Sequence, residues 1–193
     1  MGLPKTEVLI SVSDYLEGEL ISEIKHEYIG GTVHAMAGGK NRHNQVSVNS
    51  LVSLGSSLKG KACRPFNSDT KVRIGMPNQI RFYYPDVVVV CDPLGQDLSF
   101  QDKPVVVIEV LSDSTRRQDL GEKRDAYKSI PSLCVILIID PAKVEVIVDR
   151  RSENGGFFTE VYTSLSEMIP LPEISTELPL ADIYEGISLG EGE

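Results

Sequence analysis

The sequence predicts an α/β fold of mixed α+β character, a single central mixed β-sheet flanked by helices. Three observations carry that expectation. The apolar runs at 86–90 (DVVVV), 105–111 (VVVIEVL) and 133–139 (LCVILII) are continuous rather than alternating, as strands are when both faces are covered. Helical periodicity appears before and between strand-like segments rather than in one block. Glycine, proline and asparagine punctuate the chain at Gly30-Gly31, Gly38-Gly39, Met76-Pro77-Asn78 and Asn154-Gly155-Gly156. A length of 193 residues with 41% hydrophobic content suits one domain with a real core.

In chain order, residues 1–10 read as a flexible N-terminal arm and 11–187 as the domain. Ser11 or Ser13 can cap a helix reaching about Ile24, with Tyr15, Leu16 and Leu20 on its apolar side. HEYIGGTVHAMAGG then reads as two short strands around Gly30-Gly31. A helix follows from about Arg42 to Leu58, with Val48, Leu51, Val52 and Leu58 near one face. Cys63–Phe66 and Thr70–Ile74 look like strand pieces joined through Asn67-Ser68-Asp69. Arg81–Val90 reads as one strand that turns continuously apolar after Asp86. Asp92–Lys103 is a polar loop, Pro104–Leu111 a buried strand, and Ser112–Gln118 a connection. Asp119 or Thr115 would cap a helix over 119–130. Leu133–Asp140 is a third buried strand, Val144–Val148 a fourth, and Phe157–Tyr162 a fifth after the glycine turn. The Pro-rich end closes on a frayed tail at 188–193.

A net charge of −9 argues against a general nucleic-acid coat protein, but a local basic patch is all that a nuclease needs. Three cysteines, Cys63, Cys91 and Cys134, make an odd count without CxxC spacing and are expected to be reduced. The chain opens without a charged-then-apolar leader, and its longest apolar run is far too short to span a bilayer. These features predict a soluble cytoplasmic protein with no membrane partner. His26, His34 and His43 lack a zinc-site spacing, and no GxGxxG, Walker or GxSxG motif occurs.

Three charges stand where a core would have apolar side chains. In PVVVIEVL, strand alternation puts Val105, Val107, Glu109 and Leu111 on one face, so Glu109 enters an apolar row. A buried lone carboxylate must find a partner or shift its pKa. Asp86 opens the neighbouring apolar run, and paired acids on two buried strands are an ordinary way to hold magnesium or manganese beside a phosphate. In the helix 119–130, Leu120, Lys123, Tyr127 and Ile130 share one face, which leaves Lys123 in the apolar stripe. Glu27, after His26, is a further candidate acid, and Asp69 a weaker one that also suits a turn. Arg42 and His43 start a helix, where phosphate binding is physically easy.

These residues bring out a resemblance to the Uma-two group of restriction-endonuclease-like proteins within the PD-(D/E)XK nuclease superfamily. It is carried by HEYIGGTVHAMAGG with RHNQV, then SDTKVRI, YYPDVVVVCDP, PVVVIEVLSDSTRRQDLGEKRDAYKSIPSL and LPLADIY. The resemblance spans about residues 11–187 and implies a restriction-endonuclease-like core. It implies Asp86 as the first motif acid, Glu109 as the second and Glu27 as the acid that joins from the N-terminal segment. The superfamily places a lysine two residues after the second acid; this chain has Leu111 there, and Lys123 is the lysine that takes its part.

The expectation is therefore a DNA endonuclease using Mg2+ or Mn2+, with Asp86 and Glu109 as metal ligands and Asp86, Glu109, Lys123 and Glu27 as the catalytic set. By analogy with the superfamily, the leaving group is the 3′ oxygen. Lys40, Arg42, His43, Arg116, Arg117 and Arg124 are the candidate nucleic-acid contacts, and 116–124 carries an excess of two positive charges. A homodimer is expected through the edge that Phe157–Tyr162 and the Pro-rich tail would form. The rival expectation is a catalytically silent nuclease-fold binding or assembly module, with Glu109 and Lys123 as a metal-free buried ion pair. A third is action on RNA or on a small phosphodiester.

Overall fold

The computed structural model describes residues 9–112, 116 and 119–189. Helix α1 (Val12–Ile21) starts on Ser11, whose hydroxyl accepts from the Asp14 backbone N–H, as its sequence predicts. Strands β1 (His26–Ile29) and β2 (Thr32–Ala35) form a hairpin closed by Gly30 and Gly31, both at positive φ. Helix α2 spans Asn41–Ser57. Then come β3 (Arg64–Asn67), β4 (Lys71–Met76), β5 (Gln79–Tyr83), β6 (Val87–Val90), β7 (Phe100–Gln101) and β8 (Pro104–Val110). A π-helical turn, Asp119–Lys123, leads into the short α3 (Arg124–Lys128). The chain ends with β9 (Val135–Asp140), β10 (Glu145–Arg151), β11 (Phe157–Tyr162), β12 (Met168–Leu171), a 3₁₀ turn at Pro172–Ile174, β13 (Thr176–Pro179) and α4 (Leu180–Ile183).

The expected central sheet is present, in the order β11-β10-β9-β8-β6-β3, and the three continuous apolar runs are adjacent in it as β9, β8 and β6. The β8–β9 pair is parallel and the other pairings of this sheet are antiparallel, so the sheet is mixed. One face packs against α2, α4 and the β12–β13 ribbon through Val87, Val89, Ile108 and Leu137. The other face carries Val88, Val90, Val107 and Ile138 and meets α3 together with β4 and β5. Those two strands belong to a second sheet, β2-β1-β5-β4-β7, whose far side holds α1 through a cluster of Tyr15, Tyr28, Phe82 and Phe100.

The second sheet corrects the expectation of one sheet and of one long strand over Arg81–Val90. Pro85 has no backbone N–H and fixes φ, so it interrupts the ladder. The chain leaves the second sheet after Tyr83 and enters the central one at Val87, with Asp86 at the crossing.

Three other expectations change. Helix α2 buries Val46, Ser50 and Leu54, while Val48 and Val52 are 51% and 59% exposed; Leu51 packs partly as expected. The difference is one of phase, because the sheet beneath lies on the Val46 side. In α1, Leu20 is 75% exposed although Tyr15 is buried. Cys63 and Cys91 form a disulfide, against the expectation of reduced thiols, and Cys134 is free. The cause is register: β3 pairs with β6 as Arg64 opposite Val90, so the next positions outward are Cys63 and Cys91. No helix among the described residues is long and apolar enough to cross a membrane.

Candidate active site

The central acids meet because of strand parity. In β6, Val88 and Val90 face the second sheet, so Asp86 has that facing too. In β8, Val107 and Leu111 share it, and Glu109 lies between them. Val105 departs from that row: a register shift between Val89 and Val90 turns it toward the opposite cluster. Val87 pairs with Ile108, which sets Asp86 beside Glu109 at the same end of the two strands. The Asp86 carboxylate accepts the Val110 N–H at 2.8 Å and lies 3.3 Å from His43 Nε2. The hydrogen bond and charge of Asp86 raise the His43 pKa against the opposing pull of burial.

Glu109 is 5% exposed and accepts a hydrogen bond of 2.7 Å from the Tyr127 hydroxyl. Burial pushes its carboxyl well above the usual range; Lys123 opposes that, while Asp119 and Asp86 add to it. Lys123, 3% exposed, projects from the π-helical turn toward three acids. Its Nζ lies 2.7 Å from Glu27 Oε1, 3.4 Å from Asp119 Oδ1 and 3.7 Å from Glu109 Oε1, and 5.5 Å from the Tyr83 ring centre. Burial pulls the ammonium down, but Glu109, Glu27 and Asp119 outweigh it and hold the pKa above a lysine's normal value. Glu27 reaches this cluster because alternation in β1 sends Tyr28 to the α1 side and Glu27 and Ile29 to the other. Its carboxyl is raised by burial, with Lys123 countering.

Asp86, Glu109, Asp119, Lys123 and His43 line one cavity of about 70 Å³, walled by the Met36–Gly39 loop. Gly39 is fitted to that wall, since a Cβ there would come within 2.8 Å of His43 Nδ1. The cavity suits a hard cation in its donor chemistry, because the carboxylate residues Asp86, Glu109 and Asp119 line it and charge crowding around Glu109 would be relieved. Among the described residues no group of three or more His, Cys, Asp or Glu is arranged to hold a metal. Asp86 and Glu109 would thus supply two carboxylates, and water or phosphate the rest, as is usual for magnesium.

The other candidates scatter. Lys40 and Arg42 line a wider groove next to the cavity, and the Arg42 guanidinium donates to the Ser188 carbonyl. Arg116 pairs with Asp140 at 3.0 Å. Arg124 is bound to the buried Asp149 and to Thr159, away from the cavity wall. Arg117 lies outside the described residues. Asp69 is a turn residue paired with Lys25.

Sequence reasoning takes Asp119 for a helix cap, Tyr127 for a core aromatic and His43 for a helix-start phosphate contact; the structure puts Asp119 and His43 on the cavity wall and Tyr127 behind Glu109. The spacing held a signal for two of them, since Asp119, Lys123 and Tyr127 recur every four residues on the stripe that exposes the anomalous lysine.

Comparison with known proteins bears on this site. The Uma2 family, described as "Putative restriction endonuclease", matches residues 12–181. An uncharacterised protein of Synechocystis, slr1290, is 32% identical over 180 residues, covering 93% of each chain. A second from the same organism, sll1609, is 30% identical over 143 residues, covering 72% of this chain and 80% of its own length. A crystal structure from Anabaena variabilis, described as "a putative nuclease belonging to DUF820", superposes with a TM-score of 0.68 at 20% identity. It covers 84% of this chain and 91% of that one, which is likeness of fold.

Proposed function

The chain belongs to the Uma2 family, and from that membership and the cavity's geometry we propose that it is a divalent-metal-dependent DNA endonuclease. The observation that carries the reading is the delivery of Asp86 and Glu109 to one small cavity from the paired ends of β6 and β8, with Lys123 3.7 Å from Glu109. When bound, Mg2+ or Mn2+ held by Asp86 and Glu109 would lower the pKa of a water and offset phosphate charge. The chain's own residues do the positioning. Tyr127 fixes the Glu109 carboxylate through its hydroxyl, and the Val110 N–H fixes that of Asp86. Glu27 and Asp119 hold the Lys123 ammonium at the cavity wall, where it orients the attacking water and stabilises charge on the phosphorus oxygens. His43, whose pKa Asp86 raises, adds positive charge beside that carboxylate when it is protonated. The homodimer contact in this reading is the edge strand β11, where Phe158 and Val161 are exposed.

One observation favours a second reading, a catalytically silent nuclease-fold module: Lys123 is within 4 Å of three carboxylates, a buried ion cluster of a kind that can serve structure alone. Cleavage of supercoiled plasmid at low salt, in magnesium and then manganese, separates the two. The expected result is nicking by the wild type that chelator stops and that Glu109→Ala loses. Equal activity in both proteins would refute the assignment of Glu109. Absence of calorimetric metal binding by the wild type would establish the silent module instead.

A further inference from the structure

Beside the acidic cavity lies a groove of different chemistry. Its volume is about 340 Å³, against about 70 Å³ for the cavity. The two share His43, Ser112 and the Gly38-Gly39 stretch as a common wall. No acid is found among the described residues lining the groove; Lys40 and Arg42 stand on its rim, and Leu111, Pro141 and Ala142 form an apolar side. A cavity of this size falls at the small end of ordinary small-molecule sites (about 300–1,000 Å³), enough for a single nucleotide.

The partition has a chemical consequence. The small acidic cavity can receive a phosphate with its counter-cation but has no room for a base. In a stacked duplex the bases turn inward, away from any surface that holds the backbone, and a concave apolar pocket at the cut is left empty. A base reaches such a pocket when it is already unpaired or is turned out of the stack. Cations at the rim and an apolar wall within match a nucleotide's charged phosphate and uncharged base. We infer that the groove binds one unpaired DNA nucleotide adjacent to the scissile phosphate, so that single-stranded or locally unpaired DNA is the preferred substrate class. The inference rests on the nuclease reading for its orientation, but its binding test does not need turnover.

The test is fluorescence anisotropy of the full chain, in calcium at low salt, with a labelled 15-nucleotide DNA strand and with its blunt duplex. The strand is expected to bind at least tenfold more tightly than the duplex. A 2-aminopurine within it is expected to change its emission on binding, as it leaves the stack. Ala142→Trp fills the groove from an exposed turn position, and is expected to weaken strand binding at least tenfold. Lys40→Glu reverses a rim charge and is expected to act in the same direction. Equal affinity for strand and duplex overturns the inference, as does an Ala142→Trp protein that binds the strand like wild type. A tenfold preference for the RNA strand of the same sequence overturns the assignment to DNA. The nuclease reading fails separately: strand binding that Ala142→Trp abolishes, without cleavage in magnesium or manganese, keeps the groove and removes the hydrolysis.

Discussion

Two buried ion clusters sit on one helical segment and are built in opposite senses. Lys123 faces Glu27, Glu109 and Asp119, three carboxylates to one cation. Asp149, reached from the next turn, faces Arg124 and Lys128, two cations to one carboxylate, and accepts the Thr159 hydroxyl at 2.7 Å. The Asp149 carboxyl is opposed by burial, but hydrogen bonds from Arg124, Thr159 and Lys128 hold its pKa at about 2. Its cations are partly exposed, so surplus charge reaches water. Around Lys123 every member is buried, and burial pushes Glu109 toward its neutral form. The Asp149 cluster has the charge balance of a brace. The Lys123 cluster sets three carboxylates around one lysine beside a cavity, the arrangement on which the proposed cation-dependent reading rests.

Three substitutions would break or sharpen that contrast. The largest effect is expected for Lys123→Met, which leaves three buried carboxylates without their shared cation. Such loss of one buried partner costs about 3–5 kcal/mol, to be read from urea unfolding. An effect below 1 kcal/mol would mean that the acids are already neutral.

Next is Asp149→Asn. The folded pKa of about 2 lies below the ordinary value of 3.8, so the folded state holds fewer protons in that window. The carboxylate's contribution is therefore complete above pH 3.8 and disappears as pH falls through 2. By the conversion of about 1.4 kcal/mol per pKa unit it amounts to about 2–3 kcal/mol at neutral pH. Wild type and Asp149→Asn should differ by that much in urea at pH 6 and converge toward pH 2. A difference independent of pH would remove the charge from the explanation.

The smallest effect has the opposite sign. Glu109→Gln locks in the neutral state that burial favours, keeps an acceptor for Tyr127, and should stabilise the metal-free protein by roughly 1 kcal/mol. Added manganese should then raise the melting temperature of wild type but not of the variant. A destabilised Glu109→Gln would show the Lys123 cluster to be a balanced brace like the other.

Much of the site could be read from the chain because strand alternation and helical spacing are local rules. Glu109 interrupts an apolar row, Asp86 opens another, and Lys123 breaks a stripe shared with Tyr127; each anomaly is visible within about ten residues of sequence. The parts that stayed illegible depend on long-range partners. The outward side of α2 is set by which face the central sheet covers, so Val48 and Val52 were misplaced. Arg124 looked like a free phosphate contact until β10 brought Asp149 beneath it.

The sequence by itself determined the mixed fold, its three central strands and the three anomalous charges, because burial leaves a periodic imprint along the chain. The tertiary structure alone decided that Pro85 divides one apparent strand between two sheets, that Cys63 meets Cys91, and that Asp119 and His43 join the cavity. Those outcomes follow from register and from the packing of sheet on sheet, and neither is written in the spacing of any one segment.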